Sequence, residues 1–158
     1  MLIVRGRSDY VITSNLIDAR LPSTGSTILE LTIADPRLPF YASKTSDGTY
    51  KGGKQGSPNG YDSYSHVNPS LLAAAKDLLI MDYAETEFLL AEAVERGFTV
   101  GGTAETHYNN AITASITYWG GTATQAAAYL AQPTVAYATA TGTWKQKIGT
   151  EAWKAYFL

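Results

Sequence analysis

The chain has 158 residues, of which 45% are hydrophobic and 16% are charged, and this composition suits one globular domain with a real core. A net charge of −2 and the lack of any basic run argue against a nucleic-acid-binding protein. With no cysteine, the chain has no disulfide framework, no cysteine-ligated zinc and no thiol nucleophile. No signal peptide is recognisable, and no apolar run approaches the length of a membrane span.

The first part of the chain predicts short elements separated by turns. A helix is predicted from Leu16 to Leu21, with Ser14 or Asn15 as its cap. Residues 27–33 alternate only partly and fit either a strand or a helical turn. Prolines then follow in quick succession and predict turns and extended backbone before residue 42.

Residues 42–68 form a long polar segment that is rich in glycine. An irregular segment of this length inside a compact domain is usually functional or mobile, and its glycines leave disorder as the main alternative. Three tyrosines, Tyr50, Tyr61 and Tyr64, lie in it without any periodicity that would bury them. They are predicted to contact a ligand, because tyrosine offers a flat apolar face and a polar tip. The alternative is that they pin the segment onto the rest of the protein.

Residues 82–119 are predicted to form the central helix pair, joined at Gly101-Gly102. Asp82 with Glu85 fits a capping box at the first helix, and Thr103 is the predicted cap of the second. Small and aromatic residues at spacings of three and four predict the inner faces of the two helices. These inner faces comprise Tyr83, Leu90, Ala91 and Val94 on the first helix, and Ala104, Tyr108, Ala111, Ile112, Ser115 and Trp119 on the second.

Three further helices are predicted around this pair, which makes the fold class all-α. A short helix over residues 70–76 begins after Pro69. Thr122 with Gln125 forms a capping box for a helix over residues 123–131. Thr143 caps a last helix over residues 144–157.

No pattern in the sequence supports catalysis. The run from Gly48 to Lys54 matches a phosphate-binding loop, but Gln55 stands where Ser or Thr should bind magnesium, and no helix is predicted to follow. The two histidines, His66 and His107, lie in unrelated contexts without a metal-ligand pattern. We therefore predict no enzyme, no catalytic residue, no metal site and no cofactor.

Glu87 is unusual because it falls inside the predicted apolar stripe of the first helix. A carboxylate in that position needs a hydrogen bond or an ion pair. It contacts either a ligand or an arginine, a tyrosine hydroxyl or a helix N-terminus within the protein. We predict the second, because buried polar groups nearly always have a partner in the protein.

Several motifs resemble known families. Ala104, Tyr108, Ala111 and Ile112 are similar to the second helix of the tetratricopeptide repeat. A broader set of motifs consists of DPRLPFY at 35–41, DGTYKGG at 47–53, YAE and FLLAEA at 83–93, AETHYNNAI at 104–112 and WKQKIGTEAW at 144–153. In their order and spacing, these motifs resemble the SusD/RagB family of outer-membrane nutrient-binding lipoproteins.

The resemblance implies a helical fold with tetratricopeptide-like helix pairs and long irregular loops, and it favours a helix within residues 27–33. It also implies a surface protein of the outer membrane that captures an oligosaccharide or similar nutrient and passes it to a SusC-like TonB-dependent transporter. Attachment to the membrane would be through a lipid anchor that this chain does not contain. The whole chain, 1–158, is expected to be a fragment of one SusD-like helical domain. The alternatives are a helical-repeat scaffold that binds a protein partner and, third, a hydrolase of a surface glycan.

Overall fold

The computed structural model describes residues 10–22, 31–72 and 79–156, and the chain separates into two compact units, Met1–Leu78 and Leu79–Leu158. Within the described ranges the regular elements are helices. The β-type backbone pairing in these ranges consists of two isolated bridges, Thr13–Gly53 and Ala42–Val67. The predicted all-α class is confirmed. Most of the predicted helical region at 27–33 lies outside the described residues. The assignment of residues 1–158 to one domain stays a prediction.

The first unit contains two short α-helices, α1 (Ser14–Asp18) and α2 (Leu38–Tyr41), and two 3₁₀ turns, Tyr61–Ser63 and Pro69–Leu72. Helix α1 begins two residues before the predicted start at Leu16. The backbone explains this difference, because the Gly53 carbonyl accepts the Ser14 N–H at 2.8 Å and no side chain caps the helix. The predicted helix over 70–76 is a 3₁₀ turn as far as Leu72, and its remainder lies outside the described residues.

A fully buried ion pair shapes the turn before α2. Asp35 accepts hydrogen bonds from the Arg37 backbone N–H at 2.9 Å, from Nε at 2.9 Å and from Nη2 at 2.8 Å. Burial by itself would raise the pKa of Asp35, but the Arg37 guanidinium outweighs it and holds that pKa below its usual value. Beside this turn lies a small apolar cluster of Ile12, Ile17, Leu38 and Ala42, with Leu16, Leu21, Tyr50 and Val67 packed against it.

The second unit consists of four helices: α3 (Tyr83–Glu95), α4 (Ala104–Tyr118), α5 (Ala123–Leu130) and α6 (Trp144–Ala155). Helices α3 and α4 form the main contact, α5 packs against α4, and α6 packs against both α3 and α4. The side chains of Asp82, Thr103, Thr122 and Thr143 cap the four helices at their N-termini, as predicted. The central helix pair predicted over residues 82–119 is therefore present.

The inner face predicted for α4 is largely the buried one. On α3, Glu87 and Ala91 are buried as predicted, but Tyr83, Leu90 and Val94 are not. On α4 the buried residues are Ala104, Tyr108, Ala111, Ile112, Ser115 and Ile116. On α3 they are Ala84, Glu87, Phe88 and Ala91, and Tyr83 is 60% exposed. Two adjoining stripes of α3 carry apolar residues at helical spacing, and only the packing of α4 and α6 determines which one is covered.

The buried Glu87 is paired with His107 on the neighbouring helix. Glu87 is 5% exposed, and its Oε2 lies 2.7 Å from His107 Nδ1. The other ring nitrogen, Nε2, lies 2.7 Å from the Gly101 carbonyl oxygen in the turn between α3 and α4. A carbonyl oxygen and a carboxylate both accept hydrogen bonds, so both ring nitrogens carry a proton and His107 is an imidazolium cation. The prediction of an internal partner for Glu87 is confirmed. The Tyr83 hydroxyl is one of the predicted kinds of partner, whereas His107 was not among them.

The two pKa values shift in the directions that this pairing requires. The Gly101 carbonyl and then the Glu87 carboxylate raise the pKa of His107 above 6.5. Burial would raise the pKa of Glu87, but hydrogen bonds from Tyr83 and His107 outweigh it and hold the value below 4.5. The turn must also leave room for the ring, since a Cβ at Gly102 would lie 2.9 Å from His107 Nε2. Gly102 has a φ of +69°, a second reason for glycine at this position.

A second buried network joins α5 and α6. Lys154 Nζ donates to Glu151 Oε1 at 2.7 Å and to the Tyr129 hydroxyl at 2.9 Å, and that hydroxyl donates to Glu151 Oε1 at 3.1 Å. The Lys154 and Glu151 side chains are 0% and 2% exposed. Since an unpaired buried charge is costly, the three groups hold the C-terminal part of α6 in place.

We expect Glu87→Ala to lower the free energy of unfolding by about 1–3 kcal/mol, because the His107 ring loses its buried acceptor. Urea denaturation followed by circular dichroism measures the change. Glu92→Ala, a replacement on the outer side of the same helix, is the control, and it should change stability by about 0.5 kcal/mol or less. Equal stability of wild type and Glu87→Ala would contradict the structural role.

The Glu87–His107 pair should also make stability depend on pH, with a definite sign. The raised pKa of His107 gives a contribution that is present below 6.5 and is lost as the pH rises through the folded value. The lowered pKa of Glu87 gives a contribution that is present above 4.5 and is lost as the pH falls through the folded value. The stability difference between wild type and Glu87→Gln should therefore be largest between pH 4.5 and 6.5 and should shrink in alkaline solution. A difference that stays constant up to pH 9 would show that His107 is not charged.

We expect Lys154→Ala to destabilise the second unit by about 3–5 kcal/mol, because it leaves Glu151 buried without a cation. Combining Lys154→Met with Glu151→Leu should recover most of that loss, since apolar side chains of similar volume replace the pair. Lys145→Ala on the exposed side of α6 is the matched control, with an expected effect of about 0.5–1 kcal/mol from its contact with Trp144. Denaturant unfolding of wild type and the three variants distinguishes these outcomes.

Candidate functional site

The segment 42–68 is irregular but well connected to the rest of the first unit. Its backbone bonds to the start of the chain through Ile12 N–H to the Ser65 carbonyl at 2.9 Å, and through Gly53 N–H to the Ile12 carbonyl at 2.7 Å. Ser65 is fully buried, and its hydroxyl accepts the Lys51 N–H at 3.0 Å. Hydrogen bonds therefore hold this segment in one shape without a sheet or a long helix.

Glycine is required where the segment touches α1. A Cβ at Gly52 would lie 2.3 Å from the Ser14 Cα, and a Cβ at Gly53 would lie 2.5 Å from a methyl group of Val11. Gly52 and Gly53, which belong to the string that resembles a phosphate-binding loop, thus allow the segment to approach residues 11–14 closely. Residues 55–57 form a turn, so no α-helix begins directly after Gln55.

Several polar side chains of the segment are engaged in its own turns. The Asn59 amide bonds to the Lys54 N–H, the Lys54 carbonyl and the Ser57 carbonyl at 2.8–3.0 Å. Asp47 accepts hydrogen bonds from the hydroxyls of Thr45 and Thr49, which lower its pKa to about 2. These groups stabilise the local backbone, so they leave the tyrosines as the principal candidates for contact with a ligand.

The three tyrosines have different surroundings. Tyr50 is half-buried and packs against the apolar cluster of the first unit, and burial raises its pKa. Lys44 Nζ lies 5.6 Å from the centre of the Tyr50 ring. This ring therefore contributes to the packing of the unit, and any part in ligand binding remains a prediction.

Tyr61 and Tyr64 lie together at a single turn, with part of each ring exposed. Tyr61 begins the 3₁₀ turn Tyr61–Ser63, and Tyr64 follows it directly. The Tyr61 ring stacks on the His66 ring with 3.7 Å between centroids and an angle of 10° between planes. Lys51 Nζ lies 5.1 Å from the centre of the Tyr64 ring. The sequence pattern around His66 did not predict its contact with Tyr61, because the two rings meet only through the fold of the turn.

The described residues contain no group of three or more histidine, aspartate or glutamate side chains that could hold a metal ion. In those same ranges, no helix has both the length and the hydropathy that a membrane span needs. The groups that segment 42–68 offers to a ligand are ring faces, hydroxyls, amines and the exposed carboxylate of Asp62. Such groups suit the recognition of a ligand that has both apolar and hydroxyl-bearing surfaces.

Comparison with protein families identifies one match, over residues 2–158, to the SusD-like family described as "Starch-binding associating with outer membrane". Comparison with curated proteins gives no match. Among solved structures, a chitin-binding SusD homologue from Flavobacterium johnsoniae is 28% identical, with a TM-score of 0.65 over 78% of this chain and 31% of its own. A SusD homologue from Bacteroides vulgatus is 27% identical, with a TM-score of 0.61 over 78% of this chain and 32% of its own.

A further similar structure is a chitin-binding protein that is 27% identical, with a TM-score of 0.62 over 77% of this chain and 31% of its own. The chain therefore spans about a third of the length of the solved structures it matches. The family match extends over nearly every residue, and the helical architecture agrees with it. The resemblance stated from the sequence is confirmed, and the chain belongs to the SusD-like family of carbohydrate-binding, outer-membrane-associated proteins.

Proposed function

We propose that the protein containing this chain binds a glycan at the bacterial surface, and that Tyr61 and Tyr64 contribute contacts to it. The observation that carries the proposal is the pair of partly exposed rings on one hydrogen-bonded turn. Pyranose sugars present a face of C–H groups that stacks on an aromatic ring and a rim of hydroxyls that hydrogen-bond to polar tips. Tyrosine supplies both surfaces and loses little entropy when it is held in place.

Two glycan classes are the first to test. The family description names starch, and two of the similar structures are described as chitin-binding. Both polymers are built from pyranose rings with extended apolar faces, so the tyrosine chemistry fits either. We therefore use chitohexaose and maltohexaose as probes.

The arrangement favours binding over chemistry on the glycan. Hydrolysis of a glycosidic bond usually needs two carboxyl groups that face each other across the sugar. The buried carboxylates among the described residues, Asp35, Glu87 and Glu151, each pair with an internal cation. Segment 42–68 has two carboxylates, Asp47 and Asp62, and Asp47 is engaged by Thr45 and Thr49 in a tight turn. Asp62 alone does not supply such a pair.

Delivery of the captured glycan to a SusC-like TonB-dependent transporter is the second part of the proposal, and it rests on membership of the family. A lipid anchor would hold the protein at the outer membrane. Co-purification of the complete protein with such a transporter from detergent-solubilised outer membranes tests this part. Recovery of the protein without any transporter would contradict it.

We expect Tyr61→Ala and Tyr64→Ala in the complete protein to weaken glycan binding by about 1–3 kcal/mol each, because each removes a stacking surface. Tyr50→Ala should also weaken binding if its ring contacts the ligand. Its packing against the apolar cluster predicts an additional loss of stability, so Tyr50→Phe, which keeps the ring, separates the two effects. Isothermal titration calorimetry with chitohexaose and maltohexaose gives the affinities.

Tyr118→Ala is the matched control, since Tyr118 is a 47% exposed tyrosine on α4 in the second unit. It should leave affinity unchanged. Normal binding by all three alanine variants of the segment would place the recognition site elsewhere, and no binding of either probe by the wild type would contradict these glycan classes.

A scaffold that binds a protein partner is the second candidate function. The observation in its favour is the exposure of large apolar residues in the second unit, where Ile80 is 91%, Phe98 65% and Met81 60% exposed. Large apolar residues that are exposed close together often mark surfaces that contact other protein. Binding of a protein partner that survives the tyrosine substitutions and is lost on Ile80→Lys would favour this function.

A further inference from the structure

We propose that His66 is a positioning residue for the glycan site, and that it holds the Tyr61 ring so that one face only is open to a sugar. This inference rests on the proposed function and assigns a role to a residue that does not itself touch the ligand.

His66 contacts both the ring and the backbone of Tyr61. The two rings lie nearly parallel, with 10° between their planes and 3.7 Å between their centroids. A ring nitrogen, Nε2, lies 2.8 Å from the Tyr61 carbonyl oxygen. Since a carbonyl oxygen only accepts, Nε2 carries the proton and donates it. One side chain thus fixes the plane of the Tyr61 ring and the peptide group that bears it.

His66 is itself anchored in the first unit. Its carbonyl accepts the Ser43 backbone N–H at 2.9 Å, next to the bridge between Ala42 and Val67. The Ser43 hydroxyl contacts the His66 carbonyl and N–H, both at 3.4 Å. The backbone of His66 is therefore already hydrogen-bonded and ordered before a ligand binds.

The same turn links Tyr61 to Tyr64. The Tyr61 carbonyl that accepts from His66 also accepts the Tyr64 N–H, at 3.3 Å. The Tyr64 ring has its own cation, Lys51 Nζ, at 5.1 Å from its centre. Each of the two rings thus has a basic side chain over one face, and the proposed sugar stacking uses the other face.

The energetic consequence is pre-organisation. A side chain that must be immobilised during binding costs about 0.5–1.5 kcal/mol, and a ring already held against His66 avoids that cost. Removing His66 should therefore weaken glycan binding by about 2- to 10-fold. The loss should be smaller than the one caused by removing Tyr61, because the recognition surface itself remains.

The test compares His66→Ala, His66→Phe and Tyr61→Ala in the complete protein by calorimetric titration with chitohexaose and maltohexaose. His66→Ala should show the 2- to 10-fold loss, and His66→Phe, which keeps a stacked ring, should restore affinity to within about 2-fold of wild type. Circular dichroism melting of the same variants shows whether the fold persists. A role limited to folding predicts that affinity follows melting temperature, whereas positioning predicts that affinity follows the presence of a ring at residue 66.

The stacking of His66 on Tyr61 can also be tested by proton NMR without a ligand. The ring protons of His66 should resonate upfield in the wild type, because they lie over the Tyr61 ring, and should move downfield in Tyr61→Leu. Identical His66 shifts in the two proteins would overturn the stacked arrangement and with it the proposed role.

The outcomes separate this inference from the proposed function. Loss of binding in Tyr61→Ala with normal binding in His66→Ala overturns the positioning role and leaves the glycan site intact. Normal binding in Tyr61→Ala, with binding by the wild type, overturns the site at this ring. Loss in both, with recovery in His66→Phe, supports both.

Discussion

The requirement that a buried charge must have a partner determines much of this structure. Asp35, Glu87 and Glu151 are the buried carboxylates among the described residues, and each bonds a cation at 2.7–2.8 Å. Each pair stabilises one local contact. The Asp35 pair stabilises the turn before α2, the Glu87 pair the α3–α4 hairpin, and the Glu151 pair the contact of α6 with Tyr129 of α5. A pair of this kind adds little net stability compared with apolar packing, but it strongly disfavours other arrangements that would leave one charge alone.

The first unit shows how irregular backbone can still be rigid enough for recognition. Its segment 42–68 has short 3₁₀ turns and isolated bridges, yet its peptide groups bond to Ile12, Ser14, Ser65 and one another. Glycines at 52 and 53 permit the close approach that these bonds need. The tyrosines at the Tyr61–Ser63 turn are thus displayed on a supported loop, an arrangement typical of binding sites.

The second unit has a different character. Its four helices carry well-formed caps, and its core combines small residues with aromatic pairs such as Phe88 and Tyr108, which meet edge to face at 6.3 Å. The His107 ring contacts Glu87 in the helix interface and the Gly101 carbonyl in the turn, so it connects the turn to the interface. Titratable side chains therefore affect the stability of this unit, whereas the proposed recognition in the first unit depends on ring faces.

Local sequence patterns determined the helical class, the central helix pair, the N-terminal caps at Asp82, Thr103, Thr122 and Thr143, and the need of Glu87 for an internal partner. These features depend on residues within one or two helical turns of each other, so spacing is sufficient to predict them. Tertiary structure alone decided that α3 buries Ala84 and Phe88 while leaving Tyr83 exposed, that His107 is the partner of Glu87, and that His66 stacks on Tyr61. Helix packing determines which stripe of α3 is covered and which residue pairs with Glu87. The conformation of an irregular turn determines the stacking of the two rings. The spacing of side chains along the chain does not reveal either kind of contact.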